Sequence, residues 1–525
     1  MAPSPAKKKL GTILKTSEPA ARLRRMSTGP DVRQRVRHAL YGVGVVDAWR
    51  RGGRVAVVLF ESEALPMEIA ARELVDVAAP SGLAVESIAP AMTGSWERGV
   101  AQQTLEAMRL GVVPSANLDA YTVGRDYELD LVDADLENAR TEGGAVRAFL
   151  GDYGVGKTHL LELIQQRALE ANFLVARVVL DPEETSPAHP KRVYRAVVRS
   201  LTYPDQRSAE GLGLLPLLQK VAAEAPQATA NGAKGQAPHL YLKAAVGYFN
   251  ALNSCTDKNL PRGVGTDQLA VWVERSRELL MDWIEGHPTL SNQVIDAQLS
   301  KLKGRHPHVY SLMDYRPWSR IYGYLLSGIS TVARAVGYSG LVVLLDEAEF
   351  YSLLNKDNRS FAQDLFKTWT YAATGPSGDA AALPFEPELV GIGGRGVQRK
   401  IPAWFGARPG VYFVCAMTPH GDGLEALKGA IPASQITLLN PLTPSDYLEL
   451  TSRVCDFYAS SRDDWTLQAG LVAPMAKVVR GLIQTGYVTT PRHAMKFIIE
   501  FLDVVRYHPS EVGNVVRNLQ DEILL

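Results

Sequence analysis

One stretch limits the fold more than any other: Ala145–Leu150 (AVRAFL), then Gly151-Asp-Tyr-Gly-Val-Gly-Lys-Thr158, then His159–Leu169. An apolar run of that length bounded by glycine predicts a buried strand, and the leucine-rich segment after the loop predicts a helix. A further apolar run, Phe173–Leu180 (FLVARVVL), ends at Asp181-Pro182. Strand, helix and strand in succession predict a βαβ unit and a parallel sheet. The loop satisfies G-x-x-x-x-G-K-[ST] at every constrained position and has the strand-before, helix-after context that the pattern requires. Gly151, Gly154 and Gly156 let the chain turn so that backbone amides along Asp152, Tyr153, Val155 and on to His159 face phosphate oxygens. The helix start adds its positive dipole. Lys157 can bridge β- and γ-phosphates, and the Thr158 hydroxyl can ligate Mg²⁺.

A second motif completes that chemistry. Leu341–Leu345 (LVVLL) runs into Asp346-Glu-Ala-Glu349. An acid at the end of a central strand can hold the Mg²⁺ water shell, which is the role expected of Asp346. Glu347 beside it can orient and deprotonate an attacking water. Glu349 reads as an acid at a helix start. Val411–Met417 (VYFVCAM) predicts a strand lying between those of the loop and of Asp346, and delivers Thr418 where a hydroxyl senses the γ-phosphate. Arg492, in Thr489-Thr-Pro-Arg492, opens a C-terminal helix from which it can reach back to the nucleotide. Val123 and Gly124, in a short turn before the phosphate loop, are expected to hold the base.

The remaining chain organises around this core. Residues 205–336 carry helical patterns (Leu215–Glu224, Leu240–Leu252, Asp267–Glu285, Trp318–Val336) without a convincing strand, and predict a helical insertion. Gln435–Leu439 is the last strand signal, and 444–525 is helical throughout: Pro444–Ala459, Leu467–Thr485, Pro491–Arg506 and Ser510–Leu524. Upstream, Arg54–Glu61 (RVAVVLFE) predicts a strand, Pro66–Val77 a helix and Leu83–Ile88 a strand, making a small α/β module. The expected division is a basic arm at 1–38, the module at 39–98, the core at 99–443 and a helical lid at 444–525.

Composition sets the class. With 46% hydrophobic and 21% charged residues the chain can bury an ordinary core. No apolar run approaches the roughly 18 residues of a membrane span, and the N-terminus lacks the apolar stretch of a secretory signal. Three scattered cysteines (Cys255, Cys415, Cys455) imply neither a disulfide framework nor a zinc site, and point to a reducing, cytoplasmic compartment. Net charge is zero, yet residues 1–38 carry ten Lys/Arg against Glu18 and Asp31, an arm of about +8 suited to nucleic-acid phosphates.

Taken together, VGR…EL, GDYGVGKTH, LLDEAE, the Thr-terminated strand, ITLLNPLTPSDYLEL and TPR resemble initiator-like AAA+ P-loop ATPases. More narrowly, GDYGVGKTHLLELI, VVLDPEETSP with Val193-Tyr194-Arg195, Tyr324–Glu349 and TLEAMRLGVVP before TVGR resemble the BrxD-like ATP-binding proteins of BREX phage-defence systems. The resemblance covers about 100–525 and implies an AAA+ α/β core with a five-stranded parallel sheet, ATP and Mg²⁺ as ligands, and ATP hydrolysis. The implied partners are DNA or a DNA-bound protein complex, with a homo-oligomer or partner ATPase. An ATP-dependent assembly or signalling switch with little turnover is the alternative; a nucleotide kinase is a weaker third. One departure stands out: Pro419–Ser434, where such ATPases carry an arginine finger, holds no Arg, and Arg395, Arg399 and Arg408 precede the Thr418 strand.

Overall fold

The computed structural model describes residues 35–38, 42–50, 55–60, 67–70 and 74–76, and those from 98 to 524 except 206–211, 231–236, 313–318, 376–401, 403, 420, 463–464 and 467–470. The chain divides into two compact units, 1–88 and 89–525.

The first unit holds β1 (Arg35–His38), β2 (Gly42–Arg50), β3 (Val55–Phe60), β4 (Met67–Ala70) and β5 (Leu74–Asp76). They form one sheet in the order β4-β3-β2-β1-β5, antiparallel at each pairing. The β3 strand was expected. The helix over Pro66–Val77 is not there: β4 and β5 occupy that stretch. Met-Glu-Ile-Ala and Leu-Val-Asp are strands of four and three residues, too short to show a period of two against the apparent helical spacing around them. The described part of this unit is therefore all β. The last residues of the basic arm are β1, an inner strand, and Leu83–Ile88 lies outside the described residues.

In the second unit the predicted α/β core is borne out. After α1 (Arg98–Arg109) and α2 (Asp126–Thr141) come β6 (Gly144–Leu150), α3 (Lys157–Glu170), β7 (Leu174–Val179) and α4 (Pro190–Arg199). Helices α5 (Leu215–Glu224), α6 (Leu242–Asn253), α7 (Leu269–Ile284), α8 (Asn292–Leu299) and α9 (Ser319–Ala335) follow. Next are β8 (Leu341–Asp346), α10 (Lys356–Thr374), β9 (Val411–Met417), α11 (Gly421–Lys428) and β10 (Ile436–Leu438). Four helices end the chain: α12 (Pro444–Ser460), α13 (Val472–Gln484), α14 (Pro491–Tyr507) and α15 (Val512–Leu524).

The five core strands are parallel in the order β10-β6-β9-β8-β7, so β9 sits between the strands of the glycine loop and of Asp346, as the sequence led one to expect. The strands β8 and β9 are buried along their whole length, which is why they read as unbroken apolar runs rather than alternating ones. One face of the sheet (Val146, Ala148, Leu345, Phe413) shares an apolar core with α4–α10. The other (Ala145, Phe149, Val342, Val414) packs with α1–α3 and the C-terminal helices. Across that second face, Arg147 on β6 pairs with Asp135 on α2 (Nη2 to Oδ1, 2.9 Å), the Tyr412 hydroxyl donates to Asp135 (2.9 Å), and Arg147 reaches Thr437 Oγ1 on β10 (3.2 Å). This buried network fixes α2 against three neighbouring strands at the root of the site.

Candidate functional site

The loop after β6 keeps contact with the sheet: the Gly151 amide donates to the Met417 carbonyl at the end of β9 (3.1 Å). A Cβ on Gly151 would stand 2.5 Å from Val155 Cγ1, so a side chain there would burst the turn. Gly154 (φ 84°) and Gly156 (φ 104°) lie in the left-handed region where glycine carries no steric penalty. Gly156 then caps α3, whose first residue is Lys157. The underside of the loop is clamped by Arg125, buried and donating to the carbonyls of Val155 (2.6 Å) and Asn440 (3.1 Å).

A solvent-open cleft of about 1100 Å³ runs over this loop. Of the residues read from sequence, Tyr153, Gly154, Val155, Gly156, Lys157, Thr158 and His159 line it, with Asp346 and Glu347 beside them. Val123 and Arg492 line it too. Gly151, Asp152, Gly124 and Thr418 do not form its wall, but each touches a residue that does. Lys157 Nζ donates to the carbonyls of Gly151 (2.9 Å) and Asp152 (3.2 Å) and to Thr418 Oγ1 (2.9 Å). Gly124 accepts from Arg125 at 3.4 Å.

The acidic end is more connected than the sequence suggested. Thr418 Oγ1, receiving from Lys157, itself donates to Glu349 Oε1 (2.7 Å). Glu349 also lines the cleft, and its Oε2 is buried without a hydrogen-bond partner. It is thus part of the charged cluster rather than merely an acid at a helix start. Burial lowers the Lys157 pKa; the nearby charges of Glu349, Asp346, Asp152 and Glu347 oppose that, Glu349 most strongly. Asp346 Oδ1 accepts from the Glu347 amide (3.0 Å), while Oδ2 lies 3.6 Å from Arg177 Nη2. Arg177 also pairs with Glu162 of α3, so β7 steadies both the acid and the helix behind the loop. Glu347 is exposed as a residue, with backbone at φ 56°; partial covering of its carboxyl and the neighbouring charges of Asp346 and Glu349 raise its pKa, against Lys157.

The opposite end is apolar, walled by Tyr121, Val123, Leu442, Leu450 and Met495. The Thr122 hydroxyl donates to Leu118 O (2.7 Å) and therefore accepts from His159 Nε2 (2.9 Å), which assigns the ring hydrogen to that nitrogen. Burial, with the Arg125 charge, lowers the His159 pKa to about 4, so the ring is neutral at pH 7. From above, the start of α14 closes on the loop: Thr490, Pro491, Arg492 and His493 line the cleft. Thr490 caps α14 by accepting from the His493 amide (3.2 Å), and a Cβ on Gly154 would meet Thr490 Cγ2 at 2.3 Å.

Sequence reasoning missed Glu349, Arg177 and the clamp by Arg125. Arg177 had a signal, a charge inside the apolar run FLVARVVL, and Arg125 stood within a quoted motif; the Glu349–Thr418 bond joins residues distant in sequence and had none. Of the arginines weighed as a finger, Arg395 and Arg399 lie outside the described residues. Arg408 donates to the Thr141 carbonyl (2.7 Å), next to the residues that begin β6 and β9, at the sheet end opposite the cleft.

Residues 97–254 match the family model described as "BREX system ATP-binding protein BrxC/D", which bears out the resemblance read from sequence across the loop motif; Asp346 and the segments after it lie beyond the matched region. No curated protein matches the chain. Among solved structures, the Aeropyrum pernix ORC2 protein in its ADPNP–ADP complexes is similar over 76% of this chain and 67% of its own, at 11% identity and a TM-score of 0.30.

Proposed function

We propose that the chain binds ATP with Mg²⁺ in this cleft and hydrolyses it. The observation that carries the reading is convergence: the glycine loop, Lys157 and the acid-tipped β8 strand, distant in sequence, line one cleft. The phosphate chain lies on the loop amides that follow Gly151, as far as His159, at the positive end of α3, with Lys157 as counter-charge. The apolar end around Tyr121, Val123 and Gly124 takes the base, where neutral His159 adds no charge. Thr158 and Asp346 would hold the metal ion, which supplies charge neutralisation on the phosphates. The donor set fits: a hydroxyl and a carboxylate line the cleft beside the loop, hard oxygen ligands of the kind Mg²⁺ takes alongside phosphate and water. Glu347, with its raised pKa, orients water and takes its proton; Thr418 and Arg492 bear on the terminal phosphate from the sheet and from the lid at 444–525.

The wider reading is an ATP-driven component of a DNA-associated defence or DNA-processing complex, assembled with itself or with a partner ATPase in the cytoplasm. It is supported by the family match and by the basic arm at 1–38. No helix among the described residues is long and apolar enough to cross a membrane. A switch with little turnover is the second reading, favoured by the lack of arginine in Pro419–Ser434 and by the remote placement of Arg408. The test is ATP binding and phosphate release by wild type, Lys157→Ala and Glu347→Gln, each with and without duplex DNA. Hydrolysis lost in both variants, with binding lost only in Lys157→Ala, supports the ATPase; binding without release in wild type leaves the switch. Absence of ATP binding by folded wild type sinks both.

A further inference from the structure

The hydrogen-bond direction at Thr418 points to a role for Glu349 that the motif does not assign. Thr418 has one hydroxyl hydrogen, and it goes to Glu349 Oε1 at 2.7 Å; its lone pair receives Lys157 Nζ at 2.9 Å. The lysine and the hydroxyl, two side-chain donors beside the phosphate loop, are thereby arranged around a carboxylate. A third phosphate needs the same two donors. We infer that Glu349 is a specificity-determining residue: its carboxylate holds Thr418, and through it Lys157, in the manner a γ-phosphate would, so a triphosphate must compete with it and a diphosphate need not.

Three features support this. Glu349 Oε2 is buried and receives no hydrogen bond, so the Thr418 contact is what satisfies this carboxylate, and a phosphate that takes the contact over must bear the cost of leaving the charge unpaired. Glu349 lines the cleft itself, near enough for its charge to repel an incoming phosphate. It also lies at the start of a short 3₁₀ turn, Ala348–Leu353, directly after Glu347, whose left-handed backbone aims the turn back at the cleft. Glu347, by contrast, is exposed, and the hydrogen bonds of the Thr418 hydroxyl go to Lys157 and Glu349.

The inference rests on ATP binding in this cleft and deepens it. The measurement is the ratio of ADP to ATP dissociation constants, by titration calorimetry, for the full chain with Mg²⁺. Glu349→Gln keeps the shape and removes the charge; loss of one like charge near the third phosphate should tighten ATP about five-fold or more while leaving ADP within about two-fold. Thr418→Val keeps the volume and removes the tether, so the effect of Glu349→Gln should shrink in that background, whereas Thr418→Ser should behave as wild type. A purely structural Glu349 would weaken both nucleotides together or lower the melting temperature alone. An unchanged or reduced ratio in Glu349→Gln overturns the inference while wild-type ATP binding still stands. If Glu349→Gln does not fold, Glu349→Ala supplies the same test, and a wild-type ratio there overturns the inference equally. Wild type that binds neither nucleotide overturns the inference together with the reading beneath it.

Discussion

The contact between Gly154 and Thr490 gives the sharpest test of how the cleft is built. Replacing Gly154 by alanine adds one methyl group at φ 84°, 2.3 Å from Thr490 Cγ2 and 3.0 Å from its Cβ. The left-handed backbone alone costs an alanine about 1–2 kcal/mol. Relieving the overlap requires the start of α14 to lift or the loop to deform, which adds roughly 1–3 kcal/mol by the usual cost of overpacking. Thr490→Ser deletes the offending methyl yet keeps the capping hydroxyl, and serine caps at least as well as threonine, so that change alone should be nearly silent. In the double variant the steric part returns and the backbone part stays, giving a favourable coupling of about 1–2 kcal/mol. A chain of this size need not unfold in two states, so the assay should be local: native-state hydrogen exchange of the first turns of α14, where the His493 and Ala494 amides bond to Thr490. Together these terms are about 2–5 kcal/mol, so protection there should fall by about 1.5 to 3.5 orders of magnitude in Gly154→Ala and recover in part with Thr490→Ser. Unaltered protection, or no rescue by serine, would refute a lid helix seated on the glycine loop.

Other outcomes follow from the same geometry. Arg147→Met leaves the Asp135 carboxylate buried among Tyr412 and apolar neighbours, and should cost about 3–5 kcal/mol, read as a lower unfolding temperature of the second unit. The proposed water activation needs Glu347 ionised and its pKa is raised, so the acid limb of the kcat/KM profile should fall above the ordinary carboxyl value of 4.5; a limb at or below it would exclude Glu347 as the base. Lys157 has a lowered pKa and must be charged to act as the proposed counter-charge, so ATP affinity should decline on the alkaline side below pH 10.5; affinity held constant up to that pH would exclude the role. Burial lifts the thiols of Cys415 and Cys455 to about 12, so a thiol reagent at pH 8 should label the native protein at Cys255 first; equal labelling of all three would contradict their burial.

The sequence made the sheet legible because parallel strands covered on both faces write themselves as apolar runs: AVRAFL, FLVARVVL, LVVLL and VYFVCAM each fell on a core strand. The glycine loop, Asp346 and the helix behind Thr490 were equally plain, since each follows from local spacing. Helices α8 and α10 went unread, the first short and the second punctuated by Asn358, Arg359 and Ser360, although Asn355 caps it. The strands β4 and β5 were mistaken for a helix because three or four residues cannot establish a period against their surroundings. What stayed hidden within the site was pairwise: Glu349 with Thr418, and Arg177 with Asp346, meet only because β7, β8 and β9 lie side by side.

The backbone of Glu347 sets stability against the water activation proposed for it at a single position. A non-glycine residue at φ 56° is held about 1–2 kcal/mol above its comfortable conformation, and glycine would be released from that strain. Glu347→Gly should therefore melt higher, less the entropic penalty of glycine, and yet release no phosphate. Laboratory evolution for heat tolerance alone would drift toward an inert protein at this codon, whereas a screen scoring phosphate release would retain the glutamate.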